Sequence, residues 1–202
     1  MSSKLPTVAI IGQANVGKSS LFNRLTRART AIVAREAGTT RDNVVGKVSY
    51  KRRASSPDEA SQAEFWLIDT AGLKPAEDEF EATIQDQIAD ASAAADVILV
   101  MVDSTVYPSD ADRQLAKKAL KSGKPVLLIA NKADLKGSLH TDEFKRLGIK
   151  TIIKTSAEHS IGISELLDAI ADLIPPATDT APDDIIRRSE EHTSELQSPT
   201  SI

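Results

Sequence analysis

Val8-Ala9-Ile10-Ile11-Gly12-Gln13-Ala14-Asn15-Val16-Gly17-Lys18-Ser19 decides the fold. A short apolar run stops on the pattern G-x-x-x-x-G-K-S, and Ser20-Leu21-Phe22-Asn23-Arg24-Leu25 carries on with helical character. A strand, a glycine-rich loop and a helix start in this order place unpaired backbone N–H groups around an anion. Gly12, Gln13, Ala14, Asn15, Val16, Gly17, Lys18, Ser19 and Ser20 therefore read as a cradle for a phosphate chain. Lys18 is placed to reach the outer phosphates, and the Ser19 hydroxyl to ligate Mg²⁺.

Four further stretches extend this site. Phe65-Trp66-Leu67-Ile68 runs into Asp69-Thr70-Ala71-Gly72. An Asp at a strand end can hold Mg²⁺ through a water, and Gly72 can bring its backbone N–H close to a terminal phosphate where a side chain would clash. Pro125-Val126-Leu127-Leu128-Ile129-Ala130 runs into Asn131-Lys132-Ala133-Asp134. The Asp134 carboxylate can accept two N–H donors from guanine, whereas adenine would leave it unpaired at a cost. The aliphatic stem of Lys132 can lie along the base plane. In Gly38-Thr39-Thr40-Arg41-Asp42, Thr40 is the candidate second protein ligand of Mg²⁺, with Thr39 as fallback. Ser156-Ala157-Glu158 follows Thr151-Ile152-Ile153-Lys154 and is the weakest of the five signals by itself.

Taken in this order, the five motifs resemble the Der (EngA) family, the tandem-domain GTPases of ribosome assembly, and best suit the first of its two GTPase domains. The resemblance runs over roughly residues 6–175 and also rests on Ala31-Ile32-Val33, on Lys121-Ser122-Gly123-Lys124-Pro125-Val126 and on Ser156-Ala157-Glu158-His159. It implies a Ras-like P-loop GTPase domain, with six mostly parallel strands and helices on both faces. It implies GTP and GDP as ligands and hydrolysis of GTP, with Lys18, Thr40, Asp69, Gly72 and Asn15 as the catalytic set. Thr70, Ala71, Gly72 and Leu73 would face the nucleotide, as would Asn131, Lys132, Asp134, Ser156, Ala157 and Glu158. The S-A-x loop in such proteins contacts guanine O6 through a backbone N–H. Leu73 stands where Ras-like proteins carry a water-orienting glutamine, so turnover should be slow without help. The family supplies that help with K⁺, and Asn15 matches the asparagine that binds it. The implied partners are the ribosome or a pre-50S particle and a second GTPase domain, with neither membrane nor DNA. Era and MnmE GTPases share many of these motifs. An RNA-related GTPase of those kinds, or a slow nucleotide-state sensor, is the alternative. Ala14 and Ala71 depart from the commonest family spelling without removing a donor or ligand.

The 202 residues suffice for one α/β domain with a real core. Aromatics make up only 3%, so that core must be aliphatic, as in a parallel sheet buried on both faces. The net charge of −4 advertises no domain-wide attraction for nucleic acid, leaving local groups such as Arg24-Arg27-Arg29 or Lys51-Arg52-Arg53, which are more often solvated faces. No cysteine, no signal-like N-terminus and no long apolar run is present, which points to a cytoplasmic protein. Apolar patterning predicts strands at 7–11, 43–50, 64–68, 97–102, 125–130 and 151–155, and helices at 18–26, about 80–93, 109–122, 141–147 and 162–173. The loops 27–42 and 69–80 are expected to be mobile without GTP. The expected organisation is a GTPase domain over 1–174, an acidic Pro-rich linker over 175–187 and a tail over 188–202. That tail resembles the translation of a DNA-sequencing adapter, which implies a fragment whose natural frame ends near Arg187.

Overall fold

The computed structural model describes residues 5–27, 33–34, 44–51, 62–69 and 95–174. Among these residues, seven strands are β1 (Thr7–Gly12), β2 (Val33–Ala34), β3 (Val44–Lys51), β4 (Gln62–Asp69), β5 (Val97–Asp103), β6 (Val126–Asn131) and β7 (Ile152–Lys154). The same residues hold three α-helices, α1 (Lys18–Arg27), α2 (Asp110–Lys121) and α3 (Ile163–Leu173), and Thr141–Leu147 forms a 3₁₀ helix.

All seven strands join one sheet in the order β2-β3-β4-β1-β5-β6-β7. β4, β1, β5, β6 and β7 run parallel, while β2–β3 and β3–β4 are antiparallel. All six expected strands are present. The two-residue β2 extends the edge beyond them, inside a stretch expected to be loop. Two residues show no alternation, so only the pairing of Val33 with Gly46 and Ala34 with Val45 defines the strand.

The period of two sorts the aliphatic strands into two cores. Val8, Ile10, Val97, Leu99, Met101, Leu127 and Ile129 face α1 and α3, burying Leu21, Phe22, Leu25, Leu166 and Ile170. Ala9, Ile11, Ile98, Val100, Val102, Leu128 and Ala130 face α2 and the 3₁₀ helix, burying Leu115, Ala116, Ala119, Phe144 and Leu147. Helices thus cover both faces, and each buried Leu, Ile, Val or Phe contributes about 1.5–3 kcal/mol. Because the five central strands are parallel, their carboxyl ends share one rim, where open α/β sheets bind ligands. Gly12, Asp69, Asp103, Asn131 and Lys154 all end strands there. Among the described residues no helix is long and apolar enough to cross a membrane. The expected helix near 80–93, the linker and the tail lie outside the described residues.

Candidate functional site

β1 and α1 are joined by Gln13–Gly17, a loop tight enough to need two left-handed residues, Asn15 (φ 64°) and Gly17 (φ 102°). A Cβ on Gly12 would lie 2.5 Å from the Met101 carbonyl oxygen of β5, so only glycine lets the two strands approach here. A Cβ on Gly17 would run into the Asn131 amide. The spelling of the loop therefore records backbone conformation and packing as well as ligand access.

Lys18 is buried, and its ammonium donates to the carbonyls of Gly12 at 2.8 Å and Gln13 at 2.5 Å. Burial holds its pKa below the usual lysine value, against the opposing pull of the Asp69 carboxylate. The Ser19 hydroxyl donates to Asp69 Oδ2 at 2.9 Å. The start of α1 and the end of β4 therefore bring together two oxygen donors, a pairing that suits Mg²⁺. Among the described residues no three His, Cys, Asp or Glu side chains cluster as a metal site. Magnesium does not require such a cluster, because it keeps waters and takes phosphate oxygens alongside one or two protein ligands.

Asn131 is buried and ties three loops together. Its Nδ2 donates to the Val16 carbonyl at 2.9 Å, and its Oδ1 accepts from Thr155 Oγ1 and the Ala157 N–H, each at 3.1 Å. Lys132 takes a left-handed conformation (φ 65°), and its ammonium lies 2.6 Å from Asp103 Oδ2. Burial alone would raise the Asp103 pKa. The Lys132 ammonium and the Thr105 N–H and hydroxyl overcome that and hold it below the ordinary value. Asp134 is also held low, first by the Ser156 hydroxyl, with His159 Nε2 a further 3.5 Å neighbour.

A cleft of about 190 Å³ joins these parts. The phosphate loop supplies Asn15, Gly17 and Ser20, the end of β6 supplies Asn131, Lys132, Asp134 and Leu135, and the loop after β7 supplies Ser156, Ala157 and Glu158. The phosphate loop, Asp134 and the loop after β7 thus open onto one rim. Ala14 is exposed on the loop, and Val16 is buried beneath it. Thr39, Thr40, Thr70, Ala71, Gly72 and Leu73 lie outside the described residues.

Two side chains have partners that the local spelling of the sequence does not show. The Gln13 side chain turns away from the cradle, donating to Ser109 Oγ at 2.8 Å and Asp112 Oδ1 at 2.7 Å, so only its backbone is left for a ligand. Arg24 is not a solvated face, because its guanidinium donates to the Ala157 and Glu158 carbonyls. Asp103 closes an apolar run just as Asp69 does, so the same local signal marks both.

The sheet order, the glycine-rich turn and the shared cleft define the class: a P-loop nucleotide-binding α/β domain. Residues 7–132 match the family model described as 50S ribosome-binding GTPase, and the chain belongs to that family. GTPase Der of Thermomicrobium roseum is 37% identical over 204 residues, covering 96% of this chain and 40% of the relative. GTPase Der of Gemmatimonas aurantiaca is 40% identical over 174 residues, covering 85% of this chain and 37% of the relative. The chain therefore spans about two fifths of the length of these curated relatives. Among solved structures, a variant of Aquifex aeolicus Era bound to GDP·AlF4⁻ superimposes with a TM-score of 0.63 at 28% identity, over 90% of this chain and 60% of that one.

Proposed function

We propose that this chain is the first GTPase domain of a Der-type protein, binding GTP with Mg²⁺ and hydrolysing it to GDP and phosphate. The observation that carries this is the single cleft lined by the cradle, Asp134 and the Ser156–Glu158 loop. On this reading Lys18 exchanges its two carbonyl acceptors for β- and γ-phosphate oxygens. The N–H groups of Asn15 to Ser19 hold the charge that builds on the leaving phosphate. Asp134 pairs with the N–H donors of guanine, Lys132 supports the base plane, and Glu158 presents its N–H to O6. Ser19 and Thr40 would ligate Mg²⁺, with Asp69 holding it through a water, and the ion would neutralise charge on the β- and γ-phosphates. Positioning supplies most of the rate, and with Leu73 in place of a glutamine the unaided turnover is slow.

We further propose that Asn15 holds K⁺ and that turnover is faster in K⁺ than in Na⁺; equal rates in the two salts would remove that assignment. The proposed setting is cytoplasmic assembly of the large ribosomal subunit, with a second GTPase domain in the longer protein. The deciding experiment is titration with GDP and ADP. The expected result is GDP bound at least about a hundredfold more tightly, as a site with a dedicated partner for each polar group achieves. Asp134→Asn should move preference from guanine toward xanthine, because an acceptor becomes partly a donor. Equal binding of GDP and ADP by the unmodified chain would sink the guanine assignment.

A further inference from the structure

Arg24 leaves α1 sideways and grips the loop that follows β7. Its Nε donates to the Ala157 carbonyl at 2.8 Å, and its Nη2 donates to the Glu158 carbonyl. A trans peptide is planar, with C=O and N–H on opposite sides. Fixing the Ala157 carbonyl on the guanidinium therefore aims the N–H of Glu158 away from Arg24. The neighbouring amides are already engaged: the Ala157 N–H by Asn131 Oδ1 at 3.1 Å, and the His159 N–H by Ser156 Oγ at 3.2 Å. Among the hydrogen bonds of the described residues, the Glu158 N–H has no acceptor, and Glu158 lines the cleft together with Asp134.

We propose that Arg24 is a specificity-positioning residue, whose two-pronged grip holds the 157–158 peptide so that the Glu158 N–H meets a carbonyl on the purine edge. The assignment rests on the guanine reading given above. Guanine offers O6 as an acceptor there, whereas adenine offers an N6 donor that would face the N–H with another N–H. A planar guanidinium suits the task because it donates from two nitrogens in fixed relation, which a lysine cannot reproduce. α1 begins under the phosphate cradle at Lys18, so one helix serves both ends of the nucleotide.

The test compares the full chain with Arg24→Ala and Arg24→Lys, titrated with GDP, ADP and the 5′-diphosphate of 2-aminopurine riboside, which keeps the exocyclic amine but has neither O6 nor the N1 hydrogen, so each variant is compared with the unmodified chain on the same nucleotide. Arg24→Ala is expected to weaken GDP about tenfold, the worth of one hydrogen bond, and to leave the 2-aminopurine nucleotide within about twofold. Arg24→Lys is expected to fall between, and it carries the comparison if the alanine variant does not fold. Unchanged 2-aminopurine binding also reports that the cleft is intact. Equal losses for both nucleotides, or no loss for GDP, would overturn the clamp while leaving the guanine reading standing. An unmodified chain with no preference for GDP over ADP would overturn both.

Discussion

Asn131 carries more of the site than its size implies. A buried amide that satisfies three partners cannot be trimmed without leaving the Val16 carbonyl and the Ala157 N–H unpaired. Asn131→Ala should therefore cost about 2–4 kcal/mol in urea denaturation and weaken GDP more than tenfold. Asp103 makes a pH-dependent contribution. Its folded pKa lies below the ordinary 3.8, so its share of stability is complete above that value and drains away as pH falls through the folded value. Asp103→Asn should accordingly lower the denaturation midpoint by the same amount from pH 7 to pH 5. The gap between the two proteins should close below about pH 4, and a gap that widened on acidification would contradict the assignment. Asp134 is held low as well, so its carboxylate stays charged throughout neutral and mildly acidic conditions, as the proposed pairing with guanine requires.

Among the elements, strands that bury both faces were the most readable from sequence. Val97–Asp103 is a continuous apolar run closed by a polar residue, and its two sets of side chains fill two different cores. The helix ends were readable for a related reason. Ser109 and Asp112 form a reciprocal cap, which starts α2 within a residue of its expected position. The cross-links were not readable. That Gln13 would leave the cradle for this cap depends on β1 and α2 lying side by side, and no local pattern encodes it. Arg24 looks like a solvated charge in the sequence for the same reason, because its acceptors lie far along the chain. The fit of Gly12 against β5 gives a test at this scale. Gly12→Ala puts a methyl 2.5 Å from a backbone oxygen that cannot swing aside, so the β1–β5 pairing must open. The expected result is loss of cooperative thermal unfolding or a midpoint lowered by at least about 10 °C, well beyond the usual surface substitution.

At the scale of the whole molecule, the parallel order β4-β1-β5-β6-β7 gathers every strand-end motif onto one rim. Loops far apart in sequence then meet only there. The Asn131 bracket and the Arg24 grip make those loops mechanically continuous, so neither half of the cleft can relax alone. Guanosine and pyrophosphate, offered as separate fragments, should therefore recruit one another. Calorimetric titration of either fragment in a saturating amount of its counterpart should show a several-fold gain, reciprocal within error as linkage demands. Cutting the bracket with Asn131→Ala should abolish that gain even where each fragment still binds.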